Sequence, residues 1–333
     1  MPLHRLCKKI GRGGVHIHRS TVNDLFHRVA SLLSPISEQI FAEIREAAVV
    51  NADETPLKMQ AKEKCRKGYM WVFVAGANIG YEYSLSRSGD TPLDVLGASQ
   101  TQEAQTKVET KAETKTKAGG FLQVDGYTGY NTVCVPEGRK RMACMAHVRR
   151  KFYEALGTAP KEAEQAISLI LDIYRIEIEA AENGFYGTDK HLALRQTEGK
   201  EKFDAPKVFL GDQKERAPPK SPMGMAISYA LGQWSYFEPY FQSAEVRLDN
   251  NVSENALRQI ALGRKNFLFV GSERAGKNLA VLQTIVATCS ANGVNPEEYI
   301  KDVLLRLGST KSSKLRTLLP KNWKPDSAQQ EHI

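Results

Sequence analysis

Hydrophobic and polar positions alternate with different periods along the chain, and each change of period marks an element. The stretch HRSTVNDLFHRVASLL repeats at helical spacing, which predicts a helix capped by Ser20 or Thr21 with Leu25, Val29 and Leu32 on one face. EAAVVNADETPLKM then reads as an apolar strand ending in acids. YMWVFVA and YEYSLS read as two strands joined by GANIG, a loop of hairpin length. FLQVDGYTGYN predicts a strand that ends at Asp125, RMACMAH another short strand, and VRRKFYEAL the start of a helix. Strand, hairpin, strand, strand, helix is an α/β order.

Further along, EAEQAISLILDIYRIEIEAAENG and MGMAISYALGQWSYFEPYF carry long helical periodicity, linked by the Pro-, Lys- and Glu-rich DAPKVFLGDQKERAPPKSP. These shifts divide the chain. Residues 1–45 form the end of a small basic helical module, 46–154 the first part of an α/β core, 155–245 an all-helical segment, 246–307 the end of the core with C-terminal helices, and 308–333 a flexible basic tail. Within the core, residues 101–120 hold almost no large apolar side chain and alternate Thr, Lys and Glu, the composition of a solvated flexible insertion. No internal repeat is present.

Charge changes the picture next. The 333 residues carry 46 Lys and Arg against 38 Asp and Glu, a net +8, with clusters at Arg139-Lys140-Arg141, Arg149-Arg150-Lys151 and Arg264-Lys265. Such a surface favours a polyanionic partner. The five cysteines are scattered, with no C-x-x-C pair, so they indicate neither a disulfide framework nor a zinc ribbon, and a reducing cytoplasm fits them. No run reaches the ~18 apolar residues of a membrane span, and the amino terminus has no signal-peptide core.

Two constellations offer chemistry. FLFVGSERAGKNLAVL contains G-x-x-x-x-G-K from Gly271 to Lys277, the outline of a phosphate-binding loop and hence of an NTPase. Asn278, however, stands where such a loop needs a Mg²⁺-binding Ser or Thr, and no strand ending in an acid follows. The alternative is a strand–turn–helix corner whose turn uses Gly271 and Gly276, with Arg274 and Lys277 in solvent. The second constellation is two apolar strands ending in acids, VVNAD at Asp53 and FLQVD at Asp125, with Glu254 at a helix start in DNNVSENALR. Three carboxylates can hold two hard cations ~4 Å apart for in-line attack on a phosphodiester. Each acid also has an ordinary role: Asp53 and Asp125 as turn residues, Glu254 as the capping-box partner of Asn251. On its helix Glu254 lies beside Arg258, four residues on, either an ion-pair partner or a phosphate contact.

NADETPLK, LQVDGYTGYN, CMAHVRRKF, DNNVSENALRQIALGRKNFLFVGSERAG and the opening HRSTVNDLF, in this order from about residue 15 to 305, together resemble the insertion-sequence 66 transposases. These are DDE transposases with a ribonuclease H-like core. The resemblance implies a mixed sheet flanked by helices, with the helical segment inserted between the second Asp and the Glu. It implies Asp53, Asp125 and Glu254 as the catalytic triad, binding two Mg²⁺ or Mn²⁺ ions. Its consequences extend to metal-dependent cleavage and strand transfer of an insertion sequence in the cytoplasm at the bacterial nucleoid. DNA is then the partner, bound by a homo-oligomer, with accessory proteins of the same element as further partners. Arg149, Arg150, Lys151, Arg258, Arg264 and Lys265 become candidate DNA contacts, and His147 a neighbour of the site or a packed histidine. The GRKNFLFVGSERAG stretch becomes a carboxy-terminal signature in place of a nucleotide loop.

The sequence departs from the family pattern in three places. It shows only the end of the family's amino-terminal region, without the zinc-binding cysteine motif; Asn255 follows the Glu where Arg is usual; and the Thr/Lys/Glu insertion is unusual. A non-catalytic DNA-binding copy that inhibits the full-length transposase is the rival reading, and an NTPase the third.

Overall fold

The computed structural model describes residues 2–97, 119–136 and 138–325. The expected insertion at 101–120 therefore lies almost wholly outside the described residues. The chain separates into two compact units, Met1–Thr116 with Val252–Ile333, and Lys117–Asn251. Element order is mixed α/β, with strands in both orientations.

In chain order the first unit opens with helices α1 (Leu3–Arg12) and α2 (Arg19–Glu46), strands β1 (Val49–Pro56), β2 (Tyr69–Ala75) and β3 (Asn78–Ser84), and the short α3 (Asp90–Leu96). The second unit holds strands β4 (Phe121–Gln123) and β5 (Lys140–Met142), then α4 (Met145–Ala155), α5 (Pro160–Glu182), α6 (Asp189–Leu194), α7 (Lys200–Lys214) and α8 (Pro222–Gln233). The chain returns to the first unit through α9 (Asn251–Phe267), α10 (Glu273–Ala291) and α11 (Pro296–Leu307). The boundary thus falls before β4, so β4, β5 and α4 share a unit with the helical segment.

In the first unit β1, β2 and β3 form an antiparallel meander, with Asp53 opposite Val72 and Val72 opposite Tyr81. Side chains alternate between faces along a strand, while directly paired residues share one. Met70, Val72, Val74, Tyr81 and Tyr83 therefore line one face, where they pack with Leu257 and Ile260 of α9 and Ala280 of α10. The Phe73 face is covered by α2, whose Phe41 ring lies 6.3 Å from that of Phe73. The open edge of β3 is protected by α10: the Thr284 hydroxyl accepts from Tyr81 N at 2.8 Å and that of Thr288 from Ile79 N at 3.1 Å.

Several expectations are corrected. The first residue of α2 is Arg19, and its cap is His18, whose Nδ1 accepts from Ser20 N, in place of Ser20 or Thr21. Its buried stripe is Val22, Ala30, Leu33, Ile36, Ile40 and Ile44, while Leu25 and Leu32 are exposed. The Pro-rich linker is largely α7. Proline inside a helix costs about 3 kcal/mol, but burying Phe203 and Leu210 returns about 1.5–3 kcal/mol each, and Phe203, Pro206 and Leu210 make one buried stripe. Residues 267–270 form no strand beyond a single bridge from Val270 to Met59, because Phe267 still belongs to α9. The segment from Gly308 is packed as far as residue 325: the Tyr299 hydroxyl donates to Leu318 O at 2.6 Å and Trp323 Nε1 to the Asp302 carboxylate at 2.6 Å.

In the second unit β4 and β5 pair in parallel, with Leu122 opposite Arg141. A 3₁₀ turn at Thr128–Thr132 joins the loop after β4 to the rest, and Tyr130 within it is fully buried. An aromatic cluster of Phe203, Trp234, Phe237, Tyr240 and Phe241 fills the helical part, with ring centroids about Phe203 at 5.2–5.5 Å.

Candidate functional site

Asp53 does not end its strand. β1 continues to Pro56, so Asp53 stands inside the ladder, half-buried, with its Oδ1 accepting from Glu54 N at 2.8 Å. Strand alternation separates the two adjacent acids. Glu54 points to the opposite face, where its carboxylate, 1% exposed, pairs with Arg87 at 2.5 Å. Asp53 shares the face of Val72 and Tyr81, and the Tyr81 hydroxyl donates to Ala256 O of α9 at 2.8 Å. Glu254 lies in the first turn of α9, two residues before that carbonyl, while Leu257 below it anchors the helix to the sheet. The structure therefore places Asp53 on the sheet face that α9 covers, in the unit that also contains Glu254.

The approach of α9 and α10 to β1 is fixed by the stretch that follows. Arg264 Nη1 donates to Pro56 O at 2.5 Å, and Val270 N to Lys58 O at 2.9 Å. Ser272 caps α10 by accepting from Ala275 N at 3.1 Å. Gly276 is not in the turn: it lies within α10 against Tyr83, and a Cβ there would sit 2.3 Å from the ring. Lys277 is paired with Glu273 at 3.0 Å, and Asn278 with the His27 ring at 2.7 Å. The strand that a nucleotide loop requires is missing before Gly271, where only Val270 bridges to Met59.

Asp125 lies in the second unit, two residues beyond the end of β4. Its Oδ1 accepts from Tyr127 N at 2.9 Å, an Asx turn that orients the carboxylate. The turn is held from below by Arg141, 6% exposed, whose Nη2 donates to Asp125 O at 2.6 Å and Tyr127 O at 3.2 Å, while Nη1 donates to Asn131 Oδ1. Gly126 fits because Tyr229 of α8 covers it; a Cβ would fall 2.7 Å from that ring. Burial, and after it the Asp125 charge, pushes the Tyr229 phenol up to about 12, so it stays protonated.

The basic candidates divide by their local contacts. On α4 Arg149 stacks on the Tyr174 ring at 5.1 Å, Arg150 is exposed, and Lys151 pairs with Glu154 at 2.8 Å. On α9 Arg258 and Lys265 are exposed, whereas Arg264 is engaged with Pro56. His147 lies on α4, half-buried.

Family comparison decides what this arrangement belongs to. The profile described as "Transposase IS66 family" matches residues 1–278, and the "IS66 C-terminal element" matches residues 284–321. The chain belongs to the IS66 transposase family. Three similar proteins from Sinorhizobium fredii (strain NBRC 101917 / NGR234), y4jD, y4hP and y4qI, are 30%, 29% and 28% identical over 98–99% of this chain. Each is described as an uncharacterized protein. The chain spans 60–64% of the length of these relatives. Among the described residues no helix of this IS66 chain is long and apolar enough to cross a membrane.

Sequence reasoning counted Arg141 only in a basic surface cluster, whereas it is buried against the Asp125 loop, and it missed Tyr229 and Arg87, which contact that loop and Glu54. Arg141 carried one local signal, its position in a strand-like run where a charge is out of place.

Proposed function

We propose that this chain acts as a DDE-type transposase with a ribonuclease H-like core, and that Asp53, Asp125 and Glu254 supply its catalytic carboxylates. The observation that supports this most is the placement of Asp53 on the sheet face covered by α9, with the adjacent Glu54 turned away and neutralised by Arg87. In a chain of this family, that geometry gives Asp53 and Glu254 a reason to sit on these elements. The donor set is three hard carboxylate oxygens, which suits Mg²⁺ or Mn²⁺ better than zinc. Two such ions, when bound, would activate water or a 3′-hydroxyl and stabilise the leaving oxygen of a phosphodiester.

The chain's own residues do the remaining work. A ladder strand and a pinned helix hold Asp53 and Glu254 rigidly, and the Asx turn orients Asp125. Arg150, Arg258 and Lys265 contact DNA phosphates, with Arg149 and Lys151 alongside Arg150 and with Arg264 acting through the loop it holds. The substrate is insertion-sequence DNA at the nucleoid, bound by a homo-oligomer together with accessory proteins of the element.

The test is Mg²⁺- or Mn²⁺-dependent nicking and strand transfer on a labelled duplex of the element's end. Asp53→Asn, Asp125→Asn and Glu254→Gln should each lose at least about 100-fold, since even outer-shell changes at metal sites cost 10–100-fold. DNA affinity should hold within about twofold, because phosphate contacts supply most of it. Glu54→Gln serves as the structural control. Cleavage surviving in Asp53→Asn would refute the assignment, and DNA binding without cleavage by the wild type would identify a non-catalytic copy.

A further inference from the structure

We infer that Arg141 is the positioning residue of Asp125, an assignment that rests on the transposase reading above. Arg141 sits on β5, nine-tenths buried, and among the described residues its guanidinium pairs with no carboxylate. Its hydrogen bonds all go to one short loop: the carbonyls of Asp125 and Tyr127 at 2.6 and 3.2 Å, and the Asn131 amide oxygen. The far side of the guanidinium lies over the Tyr236 ring at 4.9 Å. Burying an unpaired cation is costly, so a strand that needed only an apolar side chain here would fold better without it. What the arginine gives in return is a fixed loop.

The geometry explains how. The carbonyls it binds lie on either side of Gly126, so Nη2 fixes the peptide planes that follow Asp125 and Tyr127 while Nη1, in the same rigid plane, ties them to Asn131. The Asx bond from Tyr127 N to Asp125 Oδ1 then transmits that orientation to the carboxylate. Tyr127 and Tyr130, edge to face at 5.9 Å, close the far side of the turn. Asp125 stands two residues outside its strand, so without this clamp its carboxylate would have only the turn to hold it. A metal ligand displaced by about 1 Å loses much of its effect.

The experiment compares wild type, Arg141→Lys, Asn131→Ala and Asp125→Asn in the intact chain. Circular dichroism checks folding, hydrogen–deuterium exchange follows the peptide spanning 124–131, and nicking is titrated with Mn²⁺. Lysine keeps the charge but ends in one nitrogen, which cannot reproduce the span from the Asp125 and Tyr127 carbonyls, both on Nη2, to the Asn131 amide oxygen on Nη1, so exchange in that peptide should quicken about tenfold. The Mn²⁺ concentration for half-maximal nicking should rise about 10–100-fold, as for other residues that orient metal ligands. DNA affinity should stay unchanged, and high Mn²⁺ should restore Arg141→Lys but not Asp125→Asn. Asn131→Ala, which removes one acceptor and leaves the arginine in place, should shift both readouts in the same direction by less, and it stands in if Arg141→Lys does not fold. Wild-type exchange in the loop, or faster exchange with unchanged Mn²⁺ dependence, overturns the role of Arg141 while Asp125→Asn remains inactive. If Asp125→Asn nicks like wild type, or the wild type does not nick, the reading of the site falls and the positioning role falls with it.

Discussion

Replacing Arg195 by Met tests the energetic logic of the second unit. Arg195 is fully buried in a π-helical turn, Arg195–Gly199. It holds Glu177 of α5 through two parallel bonds, Nε to Oε1 at 2.9 Å and Nη2 to Oε2 at 2.7 Å, and stacks over the Tyr240 ring at 4.2 Å. Its Nη1 also donates to the carbonyls of Tyr240, Ser243 and Val246 at 3.4, 3.1 and 3.0 Å. Removing one partner of a buried ion pair costs about 3–5 kcal/mol, because the other charge stays buried. The Tyr240 hydroxyl and the His191 ring, at 2.7 and 3.0 Å from Glu177, soften that only in part. For a unit of this size about 1 kcal/mol moves Tm by about 3 °C, so Arg195→Met should lower it by about 10–15 °C. The double variant Glu177→Met/Arg195→Met removes both charges and should recover part of the loss, about 1–3 kcal/mol. It should remain about 2 kcal/mol short, for the carbonyls of Tyr240, Ser243 and Val246 left without their donor. Urea unfolding of all four proteins of the cycle measures this. A loss under about 1 kcal/mol in Arg195→Met, or a double variant weaker than the single, would refute the argument.

Other predictions follow from the same kind of accounting. His191 Nδ1 accepts from Gly187 N at 3.1 Å, which leaves Nε2 as the donor to Glu177 and the ring neutral. Burial, and then Arg195, holds its pKa below the ordinary value. As pH falls through about 6.5 the unfolded histidine takes its proton first, so stability drops with pH from there, and His191→Gln should flatten that slope in unfolding curves taken between pH 7 and 5. Gly276→Ala gains about 1 kcal/mol in helix propensity but drives a Cβ into Tyr83, so it should be net destabilising. The same substitution should cost less in a Tyr83→Leu background, as a double-mutant cycle on thermal melts would show.

The strands and the family were legible because they depend on local pattern. The runs around Val50, Phe73 and Tyr81 are apolar enough to be strands wherever they pack, and GANIG closes the hairpin with the two-residue turn Gly76-Ala77 between them. The α7 helix was hidden because its proline and lysines read as a linker, while the burial that overrides them comes from distant aromatic rings. The stripe of α2 was misread for a related reason: a 28-residue helix carries apolar side chains on several faces, and only its partners select which are buried.

What the sequence alone determined, then, was membership in the IS66 transposases, the strand-forming segments other than the apolar run at 267–270, and a short list of acids that included Asp53, Asp125 and Glu254. Which of two adjacent acids faces α9 was decided by β-sheet register, since a shift of one residue would exchange Asp53 and Glu54 between faces. That Glu54 is neutralised, and that the Asp125 loop hangs on one buried guanidinium, depends on Arg87 and Arg141, brought close only by folding. Local pattern fixes which segments become strands or helices, but the partner of a charged side chain is chosen by packing between residues far apart in the chain.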